Sequence, residues 1–170
     1  MDVPTGLLVA LMFVTLLTMS FGNILAAFAP RIQSKDPVFA HRLHGLWWAI
    51  LSLVILETFW RCTAIFLVED WSFVEFLYMI LGAAFLFFAS TSLPENDRPG
   101  LSKPFLGSLV AFHLWLLGIA VLFGSPGWLP LLVTFGLLGL LIFLWRTPDA
   151  TYFLQISYTV AGLTILSMIV

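Results

Sequence analysis

The stretch LLVALMFVTLLTMSFGNILAAFAP (Leu7–Pro30) carries no charged residue. An apolar run of roughly 18 residues or more is long enough to cross a bilayer as a helix. It is too long for the apolar core of a secretory leader. The residues before it carry Asp2 and no Lys or Arg, so it also lacks the positive flank of a leader. We therefore read it as a retained first span, Pro4–Pro30. Five further apolar runs follow: Pro37–Leu67, Ser72–Leu93, Pro104–Phe123, Trp128–Trp145 and Ala150–Val170. The expected fold class is all-α: a polytopic membrane protein of six transmembrane helices in a single domain, 1–170.

Composition agrees. The chain is 61% hydrophobic and 9% charged, with a mean hydropathy of +1.07. Soluble domains carry about 25% charged residues. A surface this dry is stable where lipid is the solvent. Six spans with short joints leave no room for a soluble domain in any loop. The net charge of −2, with seven Lys and Arg, excludes a clustered cationic face for nucleic acid. Cys62 is the only cysteine, so no internal disulfide or thiolate cluster forms.

The joints carry turn chemistry. Asp36-Pro37 reads as N-cap and first position of span 2. Ser72-Phe73-Val74-Glu75 reads as a capping box opening span 3. PENDRPG (Pro94–Gly100) is a polar loop, and GSPG (Gly124–Gly127) a tight turn. Positive charge sets the orientation. Arg31, Lys35, Arg42, Arg98, Lys103 and Arg146 flank one membrane face, against Arg61 on the other. The positive side is expected in the cytoplasm, which puts both termini outside. Trp47, Trp48, Trp60, Trp71, Trp128 and Trp145 fall near span ends, as an aromatic belt predicts, while Trp115 sits deeper.

Polar groups at membrane depth are the functional pointers. Glu57 and Arg61 stand at i, i+4 on span 2, either lining a solute path or neutralising each other at the outer interface. Glu75, Tyr78, Gln155 and Tyr158 complete a candidate polar seam, although the capping box already occupies Glu75. Asn23 reads as a hydrogen bond between helices, and Gly22, Ala26, Gly136 and Gly139 as sites of close helix approach. His41 and His44 at i, i+3, with His113 in span 4, are the candidate metal or haem ligands. No carboxylate or cysteine accompanies them at ligand spacing, so we expect no metal and no cofactor. Interfacial packing is their alternative role, with proton relay a further one for His113.

Two halves, 1–93 and 94–170, show faint similarity. GLLVA (Gly6–Ala10) resembles GSLVA (Gly107–Ala111), and TFWR (Thr58–Arg61) resembles FLWR (Phe143–Arg146). Phe73, Glu75, Tyr78 and Gly82 align without gaps on Phe153, Gln155, Tyr158 and Gly162. Either the chain is a 3+3 inverted repeat, as in many transporters, or Leu-rich helices match by chance. No Lys lies within a span to hold retinal, and no phosphate-binding, hydrolase, zinc-protease or voltage-sensing pattern occurs.

MSFGNILA (Met19–Ala26), HGLWW (His44–Trp48), TFWR (Thr58–Arg61), WSFVEF (Trp71–Phe76) and SLPE (Ser92–Glu95) together resemble a group of small multi-pass bacterial membrane proteins with no assigned activity. The likeness covers about the first hundred residues. It implies a bacterial inner (plasma) membrane and brings no catalytic residues. The expectation is a non-enzymatic membrane component: a sensor, an accessory subunit or a self-associating bundle. Its partners would be the lipid bilayer and either its own copies or another membrane protein. The rival expectation is a small-solute or ion transporter built from inverted three-helix repeats.

Overall fold

The computed structural model describes residues 5–33, 42–61, 71–93, 102–123, 127–147 and 150–169. They form six helices: α1 Thr5–Gln33, α2 Arg42–Arg61, α3 Phe73–Thr91, α4 Lys103–Phe123, α5 Trp128–Arg146 and α6 Ala150–Ile169. Four of them, α1, α3, α4 and α5, contain stretches long and apolar enough to cross a membrane, and Gln155–Leu166 of α6 is a shorter apolar helix. The sequence places each element correctly, with differences at the ends. Helix α1 runs past Pro30 to Gln33. A proline in a last turn removes one backbone donor without dividing the helix body. The Asp36-Pro37 cap, PENDRPG and all but the last residue of GSPG lie outside the described residues.

The capping box at the start of α3 forms as its spacing predicts. Glu75 N donates to Ser72 Oγ at 3.2 Å, and Ser72 N donates to Glu75 Oε2 at 2.8 Å. Two of the helix's otherwise unpaired first-turn donors are thereby satisfied, which fixes where α3 begins.

The helices pack as a ring in the order α1, α3, α4, α5, α6, α2, with α2 returning to α1. Aromatic side chains fill the middle. Trp47 of α2 meets Phe105 of α4 edge-on at 5.6 Å between centroids, and Phe13 of α1 lies 6.4 Å from Trp115 of α4. Phe112 stacks on Trp115 at 5.5 Å. Phe105, Phe112 and Trp115 thus form an inward spine on α4, and all three are buried. Pairs of this kind contribute about 0.5–1.5 kcal/mol beyond area burial. The outside is as apolar as the inside: Leu8, Leu11, Leu56, Leu77, Leu114 and Phe135 are exposed on five different helices. A helix apolar on every face suits a bilayer.

One sequence expectation needs correction here. Trp47 and Trp48 do not belong to an interfacial belt. Trp47 is fully buried, and Trp48 is buried edge-on against Phe28 at 5.4 Å. Trp60, Trp128 and Trp145 are exposed, as a belt requires. Position near a span end does not reveal which side of the helix a ring occupies.

Of the two readings of the halves, the 3+3 repeat is not confirmed. An inverted repeat that maps α1–α3 onto α4–α6 needs α4 to pack on α6, because α1 packs on α3. Among the described residues α4 and α6 do not pack together, and α6 packs on α2. The aligned residues also differ in surroundings. Gly82 is buried beneath Trp115, whereas Gly162 is exposed with open space around it. Tyr78 is half-buried and bonded to α4; Tyr158 is exposed. Matched residues in a true repeat fill matched gaps, and these do not.

Candidate functional site

Several of the bundle's polar side chains bind helix to helix. The tightest such place joins α3 to α4. Tyr78 donates its hydroxyl to Trp115 O at 3.0 Å, and Trp115 donates Nε1–H to Tyr78 O at 2.7 Å. Each aromatic thus bonds the backbone carbonyl at the root of the other. One turn along each helix a glycine makes room: Gly82 lies against the Trp115 ring and Gly118 against the Tyr78 hydroxyl. A Cβ on Gly82 would overlap the indole ring, and one on Gly118 would displace the Tyr78 hydroxyl. Trp115 is the tryptophan that lies too deep for a belt. A buried indole N–H needs an acceptor, and that is the sequence signal for this clasp.

Two further contacts act in the same way. Asn23 of α1 donates from Nδ2 to Ser90 Oγ of α3 at 3.1 Å, which is the interhelical role expected of it. Trp47 of α2 donates from Nε1 to Ser157 Oγ of α6 at 2.9 Å. No sequence signal singles out Ser157, since a serine among apolar residues does not announce its partner. The buried Ser20 hydroxyl returns to its own helix, donating to Leu16 O at 2.7 Å. Such back-bonding satisfies a hydroxyl at membrane depth without a second helix.

The candidate seam is divided among separate tasks. Glu57 and Arg61 form their expected ion pair at 2.7 Å, with the Arg61 side chain 65% exposed and that of Glu57 21%. An exposed pair of this kind contributes about 0–1 kcal/mol. The two charges neutralise each other across one turn of α2. Glu75 is held in the capping box and Tyr78 in the clasp with Trp115. Gln155 and Tyr158 stand on the outer face of α6, Tyr158 at 52% exposure. Thus Glu57 meets Arg61, and the rest of the set engages other partners or faces outward.

His113 occupies the middle of α4, 7% exposed, with Nδ1 at 2.8 Å from Leu109 O. A carbonyl oxygen only accepts, so Nδ1 carries a proton and Nε2 holds the remaining lone pair when the ring is neutral. Phe112 lies edge-on to it at 5.7 Å. His41 and the side chain of His44 lie outside the described residues, as does Cys62. Among the described residues, no group of three or more His, Cys, Asp or Glu is placed to hold a metal ion.

No protein-family model, curated protein or solved structure matches this chain.

Proposed function

We propose that the chain is a six-span integral protein of the bacterial inner membrane with no reaction of its own. It acts through helix contacts within the bilayer, as an accessory or self-associating component. The observation that carries this reading is how the polar groups at depth are used. Trp47–Ser157, Asn23–Ser90 and the paired Tyr78–Trp115 bonds all join one helix to another. Between them the ring is filled by Trp47, Phe105, Phe13 and Trp115. The alternative, a solute or ion transporter, needs a shared polar path. The residues offered for one are engaged elsewhere or face outward.

Length supports a span for α2 and α6 as well. Each has 20 residues. That corresponds to roughly 30 Å of helix, the thickness of a hydrocarbon core. The cluster of Lys and Arg between spans then places Arg98 in the cytoplasm and both termini outside. With Cys62 replaced by serine and a cysteine introduced as Arg98→Cys, an impermeant maleimide should label the protein only after the inner membrane is opened. Labelling from the periplasmic side of intact membranes would reverse the orientation.

A flux measurement tests the function. Purified protein in liposomes, under imposed proton, sodium and potassium gradients, should dissipate each gradient no faster than protein-free vesicles. Dissipation several-fold faster, scaling with protein content, would replace this reading with the transporter.

A further inference from the structure

Among the described side chains three are cationic: Arg61, Lys103 and Arg146. Arg61 is paired with Glu57 at 2.7 Å. Lys103 and Arg146 are both exposed and, among the described residues, form no ion pair. They also share one end of the bundle. Helices α4 and α5 pack together and are joined by residues 124–127, so they run antiparallel. Helix α4 has 21 residues and begins at Lys103, and α5 has 19 and ends at Arg146. At 1.5 Å per residue, the two cations lie within about 3 Å of the same depth.

Each cation tops a stripe that faces lipid. On α5, Leu132, Phe135, Gly139, Phe143 and Arg146 are exposed at helical spacing, and on α4 so are Lys103, Leu114 and Val121. Helices α4 and α5 are neighbours in the ring, so the stripes lie on adjoining outer faces. Trp145, beside Arg146, is exposed as well, as a ring at headgroup level is.

The fold itself does not account for the two charges. Lys103 stands at the start of α4, where the macrodipole is positive and a cation is disfavoured. At the end of α5, Phe143 O accepts from Thr147 N at 2.9 Å and from Thr147 Oγ1 at 2.7 Å, so Thr147 rather than Arg146 closes the helix. Two like charges at one depth on adjoining helices repel, and an anion between them removes that cost. In the orientation set by positive charge, this end meets the cytoplasmic leaflet, where anionic headgroups concentrate. A phosphate carried by a lipid brings acyl chains that cover Phe143, Phe135 and Leu114 below. A free phosphate gains nothing from those side chains, and a zwitterionic headgroup brings its own cation and leaves the repulsion in place.

We infer that the cytoplasmic end of the α4–α5 face binds an anionic phospholipid, its phosphate neutralising Lys103 and Arg146 and its chains lying on the apolar stripes beneath. The inference rests on the membrane orientation proposed above and names the lipid that meets it.

Native mass spectrometry of the purified full chain tests it, after equilibration in detergent with phosphatidylglycerol or with phosphatidylcholine of the same acyl chains. The parent should retain phosphatidylglycerol and shed phosphatidylcholine. Lys103→Gln and Arg146→Gln should each weaken phosphatidylglycerol binding about five-fold, and the two together about twenty-five-fold. Both side chains are exposed, so these changes leave the fold intact. Lys103→Arg should keep the parent affinity, and so should Arg61→Gln, which removes a cation already neutralised. Equal retention of the two lipids, a double variant that binds like the parent, or a loss in Arg61→Gln as large as in Arg146→Gln would each overturn the inference. Displacement of phosphatidylglycerol by millimolar inorganic phosphate would overturn it too, by making the site one for the free anion. Failure of the functional reading shows separately, as gradient dissipation or as periplasmic labelling of Arg98→Cys, and leaves lipid retention in detergent unchanged.

Discussion

Gly82→Ala is expected to lower the thermal stability of the purified protein by about 2–4 kcal/mol, a large effect for one methyl group. The methyl would overlap the six-membered ring of Trp115. That ring has little freedom to yield. Its Nε1 is bonded to Tyr78 O at 2.7 Å, Phe112 stacks on it at 5.5 Å, and Phe13 lies 6.4 Å away. To seat the methyl, α3 and α4 must separate. Overpacking costs about 1–3 kcal/mol, and hydrogen bonds between membrane helices average about 0.6 kcal/mol each. Two such bonds bridge Tyr78 and Trp115. Gly118→Ala should cost less, because the group it meets is the Tyr78 hydroxyl at the end of a side chain that can swing. Gly139→Ala, with open space around it, should be near neutral. Unfolding midpoints in detergent, followed by size-exclusion of heated samples, would rank the three. Equal midpoints for Gly82→Ala and Gly139→Ala would mean that the indole moves aside and the clasp is soft.

The sequence makes the helices legible because the signal for them is composition over long windows, which survives any arrangement. The capping box is legible for the opposite reason: Ser72 and Glu75 satisfy each other locally, three residues apart. The ring order is not legible. In a bilayer the outward and inward faces of a helix are both apolar, so periodicity no longer indicates which side faces a neighbour. The same loss explains Trp47, whose place near a span end suits an interface or a core equally well. It also explains the candidate seam. What Glu57, Tyr78 and Gln155 share in the sequence is a place within apolar runs, and that does not decide which residues meet. Asn23 is the instructive exception, since a carboxamide that deep in α1 needs a neighbouring helix, and Ser90 supplies the contact.

Trp47→Ala should be the most disruptive truncation, because the ring holds α6 as well as the core. Trp47 is 0% exposed and bridges three helices: it starts on α2, meets Phe105 of α4 edge-on and bonds Ser157 of α6. Removing so large a buried ring costs about 3–5 kcal/mol in water-soluble proteins. Part of that cost is transfer from water, which lapses when the unpacked helices remain in lipid. The lost dispersion contacts and the empty volume remain, so the soluble value is a ceiling. Trp47→Phe keeps an aromatic ring against Phe105 and loses the bond to Ser157, and should cost about 1 kcal/mol. The two variants therefore separate packing from hydrogen bonding. Unfolding midpoints in detergent would rank them, and equal midpoints would assign the whole effect of Trp47 to its bond with Ser157.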